Sequence, residues 1–329
     1  MSDKKILFSG IQPTGDLHIG NYLGALKNWV DLQDQHDCFY SIVDLHAITV
    51  DYDQVSYQEQ ILNTAIDLLA IGIDPKKSTL FVQSKVTQHT ELTWLFNTLV
   101  PMAELQRMTQ FKDKSRQNFT NINMGLFDYP VLQTADILLY KGELVPVGED
   151  QLQHLELANT ILRKFNNKFG EYFQKIDPIV SKSARVMSLQ EPQNKMSKSL
   201  GASNYIALRD DADTIRKKIM SAKTDAGPQK DGHMSPGVDN LFTLLESFAD
   251  EKVIKKFNLD YHNGELKYSE LKAELADAII NTLKPIQAKI AKLEKDKDKV
   301  KKILADGAQK AQKIAEANML EIKEKMGLI

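Results

Sequence analysis

A single cysteine, Cys38, stands in 329 residues, so no intrachain disulfide can form and nothing in the chain calls for an oxidising compartment. The cytoplasm is the expected setting. Long apolar runs are missing as well. The greasiest stretch, 61–73, already contains Asn63 and Asp67, which excludes a membrane span. The opening residues reach Ser9 and Gly10 without the apolar core of a signal peptide. Neither sign of charge dominates, since 42 basic and 44 acidic side chains leave a net charge of −2. There is no internal repeat, no low-complexity tract, no Walker loop and no nucleophile elbow. The histidines at 18, 36, 46, 89, 154, 233 and 262 form no zinc-binding spacing with the one cysteine, and no protein-bound metal is expected.

What remains is 42% hydrophobic and 26% charged, the composition of a globular chain with room for about two domains. Charge is uneven along it. Residues 1–250 carry 25 basic and 31 acidic side chains, net −6, and the remainder 17 and 13, net +4. That asymmetry suits either a polyanionic partner on the C-terminal part or a solvated lysine-rich helix surface.

The first half alternates strand-like and helix-like pieces, the pattern of helices covering a largely parallel sheet. Strands are predicted at Ile6 to Ser9, Phe39 to Val43, Thr79 to Val82 and Leu144 to Val147, with helices from about Gly20 to Gln35 and over 58–71. The expected fold is α/β, a Rossmann-like doubly wound parallel sheet followed by an α-helical domain, with ligands beyond the carboxyl ends of the strands. From about residue 204 the pattern turns helical. Thr224 to Asp239 is the most loop-like stretch, and Asp306-Gly307 is expected to interrupt the last helical run.

Two segments carry candidate chemistry. Between the first strand and the first helix lies Gly10-Ile11-Gln12-Pro13-Thr14-Gly15-Asp16-Leu17-His18-Ile19-Gly20-Asn21. Its glycines allow close backbone approach to a ligand, the helix start offers N–H groups to phosphate, and His18 can donate to a phosphate oxygen. The alternative is a tight connection with a surface histidine. Near the domain boundary, Lys195-Met196-Ser197-Lys198-Ser199 is a compact cationic group suited to charge on a polyphosphate, or else a solvated loop. A third feature is Asp136, in an apolar run whose Pro130 suits a helix's first turn. Steps of four and three put Tyr129, Gln133 and Asp136 on one face, and a carboxylate there needs a partner.

Together, His18-Ile19-Gly20-Asn21 and Lys195-Met196-Ser197-Lys198-Ser199 resemble the two signature motifs of class I aminoacyl-tRNA synthetases. Phe8-Ser9-Gly10-Ile11-Gln12-Pro13-Thr14-Gly15, Ile42-Val43-Asp44-Leu45-His46-Ala47-Ile48-Thr49, Arg107-Met108-Thr109-Gln110-Phe111-Lys112 and Val145-Pro146-Val147-Gly148-Glu149-Asp150-Gln151 narrow the resemblance to the bacterial tryptophanyl-tRNA synthetases. The likeness covers nearly the whole chain, more weakly towards the C-terminus.

The resemblance implies an ATP-dependent ligase that forms tryptophanyl-adenylate and pyrophosphate, then transfers tryptophan to the 3′-terminal ribose of tRNA(Trp). His18, Lys195 and Lys198 are then the charge-stabilising residues. Gln12, Pro13, Thr14, Gly20, Asn21, Gly148, Glu149, Asp150, Val186, Met196, Ser197 and Ser199 join the two lysines as ATP contacts. Asp136 is expected to accept the indole N–H, with Phe8, Val43, His46, Tyr129, Gln133, Val145 and Val147 around the ring and Gln151 on the main-chain groups. Magnesium is expected on the ATP oxygens. By the same resemblance, residues 1–203 form the catalytic domain and 204–329 a helical anticodon-binding domain whose last helices can pack back on the first, in a homodimer.

The sequence departs from the pattern in places. Gln133 stands where bacterial tryptophan enzymes commonly have methionine, which leaves tyrosine open as the amino acid. Leu45 replaces a common glutamine, and Leu200-Gly201 follows the lysine loop in place of acidic and proline residues. A small-molecule nucleotidylyltransferase and an inactive synthetase-like binding protein are the rival classes. The helical C-terminal part and the lysine loop argue against the first, and intact His18, Lys195, Lys198 and Asp136 against the second.

Overall fold

The computed structural model describes residues 4–109, 122–148, 151–180, 185–224 and 234–329. Five strands form one parallel sheet: β1 (Ile6–Ile11), β2 (Asp37–Ile42), β3 (Ser78–Val82), β4 (Leu144–Val147) and β5 (Asp177–Val180), in the order β3-β2-β1-β4-β5. The doubly wound sheet is therefore present. β1 lies at its switch point, flanked by β2 on one side and β4 on the other. At the carboxyl ends of the strands lie Gln12 after β1, Val43 and Asp44 after β2, Gln83 after β3 and Gly148 after β4, which is where such a sheet binds its ligands.

The strands form where short apolar runs end in turn-forming residues. β2 is buried almost throughout, as expected for an inner strand covered on both faces, and β3, though at the sheet edge, is buried throughout with the helix Lys297–Lys325 lying against it. β5 was not foreseen. Its alternating half-exposed positions and Pro178 are those of an edge strand, which carries little hydrophobic signal. The core on this sheet is aromatic, with Phe8, Phe39 and Phe81 packed around Tyr140.

Around the sheet run α1 (Tyr57–Ile71), α2 (Gln88–Asn97), α3 (Met124–Leu138) and α4 (Leu152–Phe169). Further on come α5 (Ala212–Ser221), α6 (Pro236–Phe248), α7 (Glu251–His262), α8 (Tyr268–Glu294) and α9 (Lys297–Lys325). Among the described residues no helix is long and apolar enough to cross a membrane.

Three local expectations change. Pro130 lies inside α3 and not at its start, because Asn123 caps the helix earlier, its side chain accepting from the Leu126 N–H at 2.9 Å. The expected helix from Gly20 to Gln35 is broken into Ile19–Asn21, wider turns at Tyr22–Leu26, and Lys27–Leu32. Asp306-Gly307 does not interrupt the last helical run; the break falls at Lys295-Asp296, where Asp296 caps α9 by accepting from the Lys299 N–H. Of the loop-like stretch, 225–233 lies outside the described residues, and α6 opens at Pro236.

The chain divides into two compact units. The first comprises residues 1–15, 29–181 and 296–329, so α9 belongs with the sheet; the second comprises 16–28 and 182–295. In the first unit α9 runs against β3, an edge strand, with Ala308, Ala311 and Ala315 buried, and the Asn318 Nδ2 donates to the Leu139 carbonyl at 2.8 Å. In the second, α8 presents Leu271, Leu275, Ile279 and Leu283 at helical spacing and packs against α5 and α6.

Gly307 explains why α9 can approach so closely. A Cβ at this position would lie 1.9 Å from the Leu80 carbonyl oxygen and 2.9 Å from its carbon, and backbone cannot yield as a flexible side chain can. Gly307→Ala is expected to destabilise the protein by about 1–3 kcal/mol through overpacking, although alanine is the better helix former. Chemical denaturation measures it, and an unchanged or raised midpoint would refute the close approach.

Candidate active site

The first unit holds a buried carboxylate. Asp136 is carried by α3 and is 1% exposed. Gln83, immediately after β3, donates its Nε2 to Oδ1 at 2.7 Å and to Oδ2 at 2.9 Å. The Gln83 Oε1 accepts the Leu45 N–H at 3.1 Å, which fixes the orientation of the amide and ties the β2 and β3 ends to α3. The His46 Nε2 donates to Oδ2 at 2.8 Å, and the His89 Nδ1 lies 2.6 Å from Oδ1. Behind it, the His89 Nε2 is 2.9 Å from the Tyr140 hydroxyl. Burial alone would raise the pKa of Asp136, but the charge and contacts of His89 and His46 outweigh it and hold the carboxyl below its ordinary range. The same burial, with the charge of Asp136, drives the Tyr140 phenol well above its usual value, so it stays a hydroxyl.

Of the ring residues expected around the indole, Tyr129 and Phe8 contact this network. Tyr129 meets the edge of His46 at 6.2 Å between centroids, and its hydroxyl lies 2.9 Å from the His154 Nε2. Phe8 is buried and stacked on Tyr140 at 5.8 Å, and Val43 and Val145 are buried at strand ends while Val147 is half-buried. Gln133 is half-buried one turn before Asp136, but the amide on that carboxylate is Gln83's; among the described hydrogen bonds none joins Gln133 to it. The Gln151 N–H donates to the Gly148 carbonyl at 3.0 Å at the start of α4, while Glu149 and Asp150 lie outside the described residues. After β1, Pro13 is buried, Gln12 half-buried and Thr14 exposed.

The second unit brings the two signature segments together. Leu17 and Ile19 pair by backbone bonds with Leu208 and Ile206, and the Asn21 Oδ1 accepts the His18 N–H at 3.1 Å. His18 is 6% exposed, its ring tilted against Tyr205, and its Nδ1 has no protein partner. A side chain on Gly20 would press on that ring, its Cβ 2.9 Å from the His18 Nδ1 and 3.5 Å from the Met196 Cβ. The glycine is thus the space in which His18 and the lysine loop meet. Met196 and Val186 are buried and joined by a backbone bond of 3.0 Å. Lys195 is exposed and Lys198 half-buried, and the Ser197 and Ser199 hydroxyls lie 2.9 Å apart. Desolvation first, then Lys198 and Lys195, lower the His18 pKa to about 4. The imidazole is therefore neutral near pH 7, a donor without charge beside two cations.

A buried ionised carboxylate past one set of strand ends, and a neutral histidine with two lysines at a glycine-rich turn, suit an amino-acid substrate and a polyphosphate respectively. The family profile for class I tRNA synthetases (W and Y) matches residues 2–284. The chain belongs to that family. The tryptophan–tRNA ligase of Caldanaerobacter subterraneus subsp. tengcongensis is 47% identical over 329 residues, with 99% of each chain covered. That of Helicobacter pylori is 47% identical over 332 residues, again over 99% of each. The tryptophanyl-tRNA synthetase of Campylobacter jejuni, solved with ADP and tryptophan, matches at a TM-score of 0.85 and 37% identity, over 98% of this chain and 99% of that one.

Within this synthetase site, Gln83, His89 and Tyr140 were not foreseen. The partners of Asp136 lie 90, 53 and 47 positions before it in sequence, and a lone glutamine after a strand carries no pattern of its own.

The His18 environment has a direct readout. An NMR titration is expected to show His18 with a midpoint near 4, moving upward in Lys198→Ala. Folding linkage follows the same sign: the unfolded chain takes up this proton at higher pH than the folded one, so stability falls as pH drops from about 6.5 towards 4. A midpoint at the ordinary histidine value would mean that the ring is solvated and the two segments apart.

Proposed function

We propose that the chain activates L-tryptophan with ATP and transfers it to tRNA(Trp). The observation that carries this reading is the Asp136 carboxylate, buried yet kept ionised at the carboxyl ends of the sheet. An ionised carboxylate can only accept, so it selects a ligand that brings a donor into an apolar pocket, as an indole N–H does. The relatives, named tryptophan–tRNA ligases over their full length, support the same substrate.

In the first step an oxygen of the tryptophan carboxylate attacks the α-phosphorus of ATP. The bond from that phosphorus to the bridging oxygen breaks, and pyrophosphate leaves with its electron pair. In the second, the terminal ribose hydroxyl of the tRNA attacks the carbonyl carbon of the adenylate, gives up its proton and expels AMP. No protein nucleophile is needed, so catalysis is positioning plus stabilisation of phosphate charge. Neutral His18 donates to a phosphate oxygen, and Lys195 and Lys198 neutralise the leaving pyrophosphate. Gln12, Pro13, Thr14, Gly20, Asn21, Gly148, Glu149, Asp150, Val186, Met196, Ser197 and Ser199 form the rest of the ATP contacts. Phe8, Val43, His46, Tyr129, Gln133, Val145 and Val147 enclose the indole, and Gln151 binds the amino acid's main-chain groups. Magnesium carried on the ATP oxygens would add positive charge there.

Residues 1–203 serve the chemistry and 204–329 the anticodon on this reading, while the last helix, α9, packs on β3. The working form is a cytoplasmic homodimer.

Amino-acid-dependent ATP–pyrophosphate exchange across all twenty amino acids tests the reading. Tryptophan is expected to support exchange, and Lys198→Ala to slow it by on the order of 10²–10³ with a smaller change in tryptophan affinity. Faster exchange with tyrosine would replace the substrate, and an unchanged rate in Lys198→Ala would remove the loop from the mechanism.

A further inference from the structure

The lysine loop is pinned at its base by a side chain from a distant helix. Met187 and Lys195 face each other in an antiparallel bridge. Backbone bonds flank the pair on both sides, from the Met196 N–H to the Val186 carbonyl at 3.0 Å and from the Ser188 N–H to the Asn194 carbonyl at 2.9 Å. That arrangement makes Met187 and Lys195 a non-hydrogen-bonded pair, whose own N–H and C=O groups point away from the opposite strand. In a buried hairpin the outward groups of Met187 would be orphaned unless something met them.

Asn240 on α6 meets both. Its Oδ1 accepts the Met187 N–H at 2.9 Å, and its Nδ2 donates to the Met187 carbonyl at 3.0 Å, with a longer contact of 3.5 Å to the Ser188 carbonyl. The amide therefore acts as a one-residue third strand. It is 2% exposed, on a helix whose other buried side chains include Val238, Leu241 and Leu245, where an amide without partners would be costly. Asn204 adds a second pin, accepting the Ser188 hydroxyl at 2.6 Å through its side chain and the Leu189 N–H at 3.1 Å through its carbonyl. Among the described residues, no hydrogen bond joins the side chain of either asparagine to one of the expected site residues. The path from Asn240 to the charge runs through Met187 to Lys195, its partner in the bridge.

We propose that Asn240 is a positioning residue for adenylate formation, fixing the register of the hairpin and hence the place of Lys195. The proposal rests on the function argued above. A positioning error of about 1 Å can cost on the order of 10²-fold in rate, so loss of the clamp is expected to act on turnover and not on tryptophan binding.

The test is tryptophan-dependent ATP–pyrophosphate exchange on the full chain, with thermal melting alongside, for the wild type, Asn240→Ala, Asn240→Asp, Lys195→Ala and the Asn240→Ala/Lys195→Ala double variant. Asn240→Ala is expected to lower kcat by roughly 10–10²-fold with the KM for tryptophan nearly unchanged. Asn240→Asp keeps the size and the acceptor for the Met187 N–H but loses the donor, so it should fall between. The double variant should be no slower than Lys195→Ala alone, because a side chain acting through Lys195 then has nothing left to place. Unchanged kcat in both Asn240 variants, or losses that multiply in the double variant, would overturn the proposal while leaving the enzyme's function standing. Should Asn240→Ala melt below the assay temperature, Asn240→Asp and its double variant with Lys195→Ala carry the same comparison. A wild type without tryptophan-dependent exchange would overturn the functional reading, and the proposal with it.

Discussion

A carboxylate with almost no exposed surface can stay ionised only if the protein supplies what water would have supplied. Asp136 receives a glutamine amide across both oxygens and the His46 imidazole on Oδ2, with the His89 imidazole 2.6 Å from Oδ1. Those partners come from the ends of β2 and β3 and from α2, so the sheet, two connections and two helices are arranged by one charge. The amide of Gln83 is the keystone, because its other end takes the Leu45 N–H and thereby places the turn that carries His46. Both oxygens are already engaged. On the proposed function the indole N–H must therefore share or replace a donor, and the His46 position on Oδ2, beside Tyr129, lies on the side lined by the expected ring contacts.

On the proposed function, the phosphate chemistry is prepared in the opposite way. Where Asp136 is surrounded by donors, His18 is left with an unpartnered Nδ1, stripped of water and placed beside two lysines that keep it neutral. Gly20 makes this possible by leaving room for the imidazole against Met196. A site short of negative charge, built from a neutral donor and two cations, favours the state in which charge builds up on a leaving pyrophosphate. It asks little of the protein beyond accurate placement, which is why the buried amide of Asn240 under the hairpin carries weight.

Legibility in the sequence followed the range of the interactions. The first four strands and the helix over 57–71 were readable because apolar runs, turn residues and caps sit within a few positions of one another. Both signature segments were readable for the same reason, and they resembled a known family as written. Pro130 and Gly307 misled because each has a usual meaning, helix start and helix break, which another feature overrode: a nearby earlier cap at Asn123 for the first, and the distant Leu80 carbonyl against α9 for the second. β5 was invisible because a half-exposed edge strand with a proline has little pattern. Gln83, His89 and Asn240 could not be found at all from spacing, since their partners lie 47 to 53 positions away and an isolated amide or imidazole has no periodicity.

The central claim is that the ionised Asp136 carboxylate recognises the ligand by accepting its ring N–H. Equilibrium binding of tryptophan and of its analogue with sulfur in place of the indole nitrogen, measured by calorimetry on the wild type, isolates that one contact. A buried charged acceptor left without its donor should weaken the analogue by on the order of 10²-fold or more, with little change in the apolar area buried. Equal affinities for the two ligands would contradict the account, leaving Asp136 as a structural anchor for Gln83, His46 and His89.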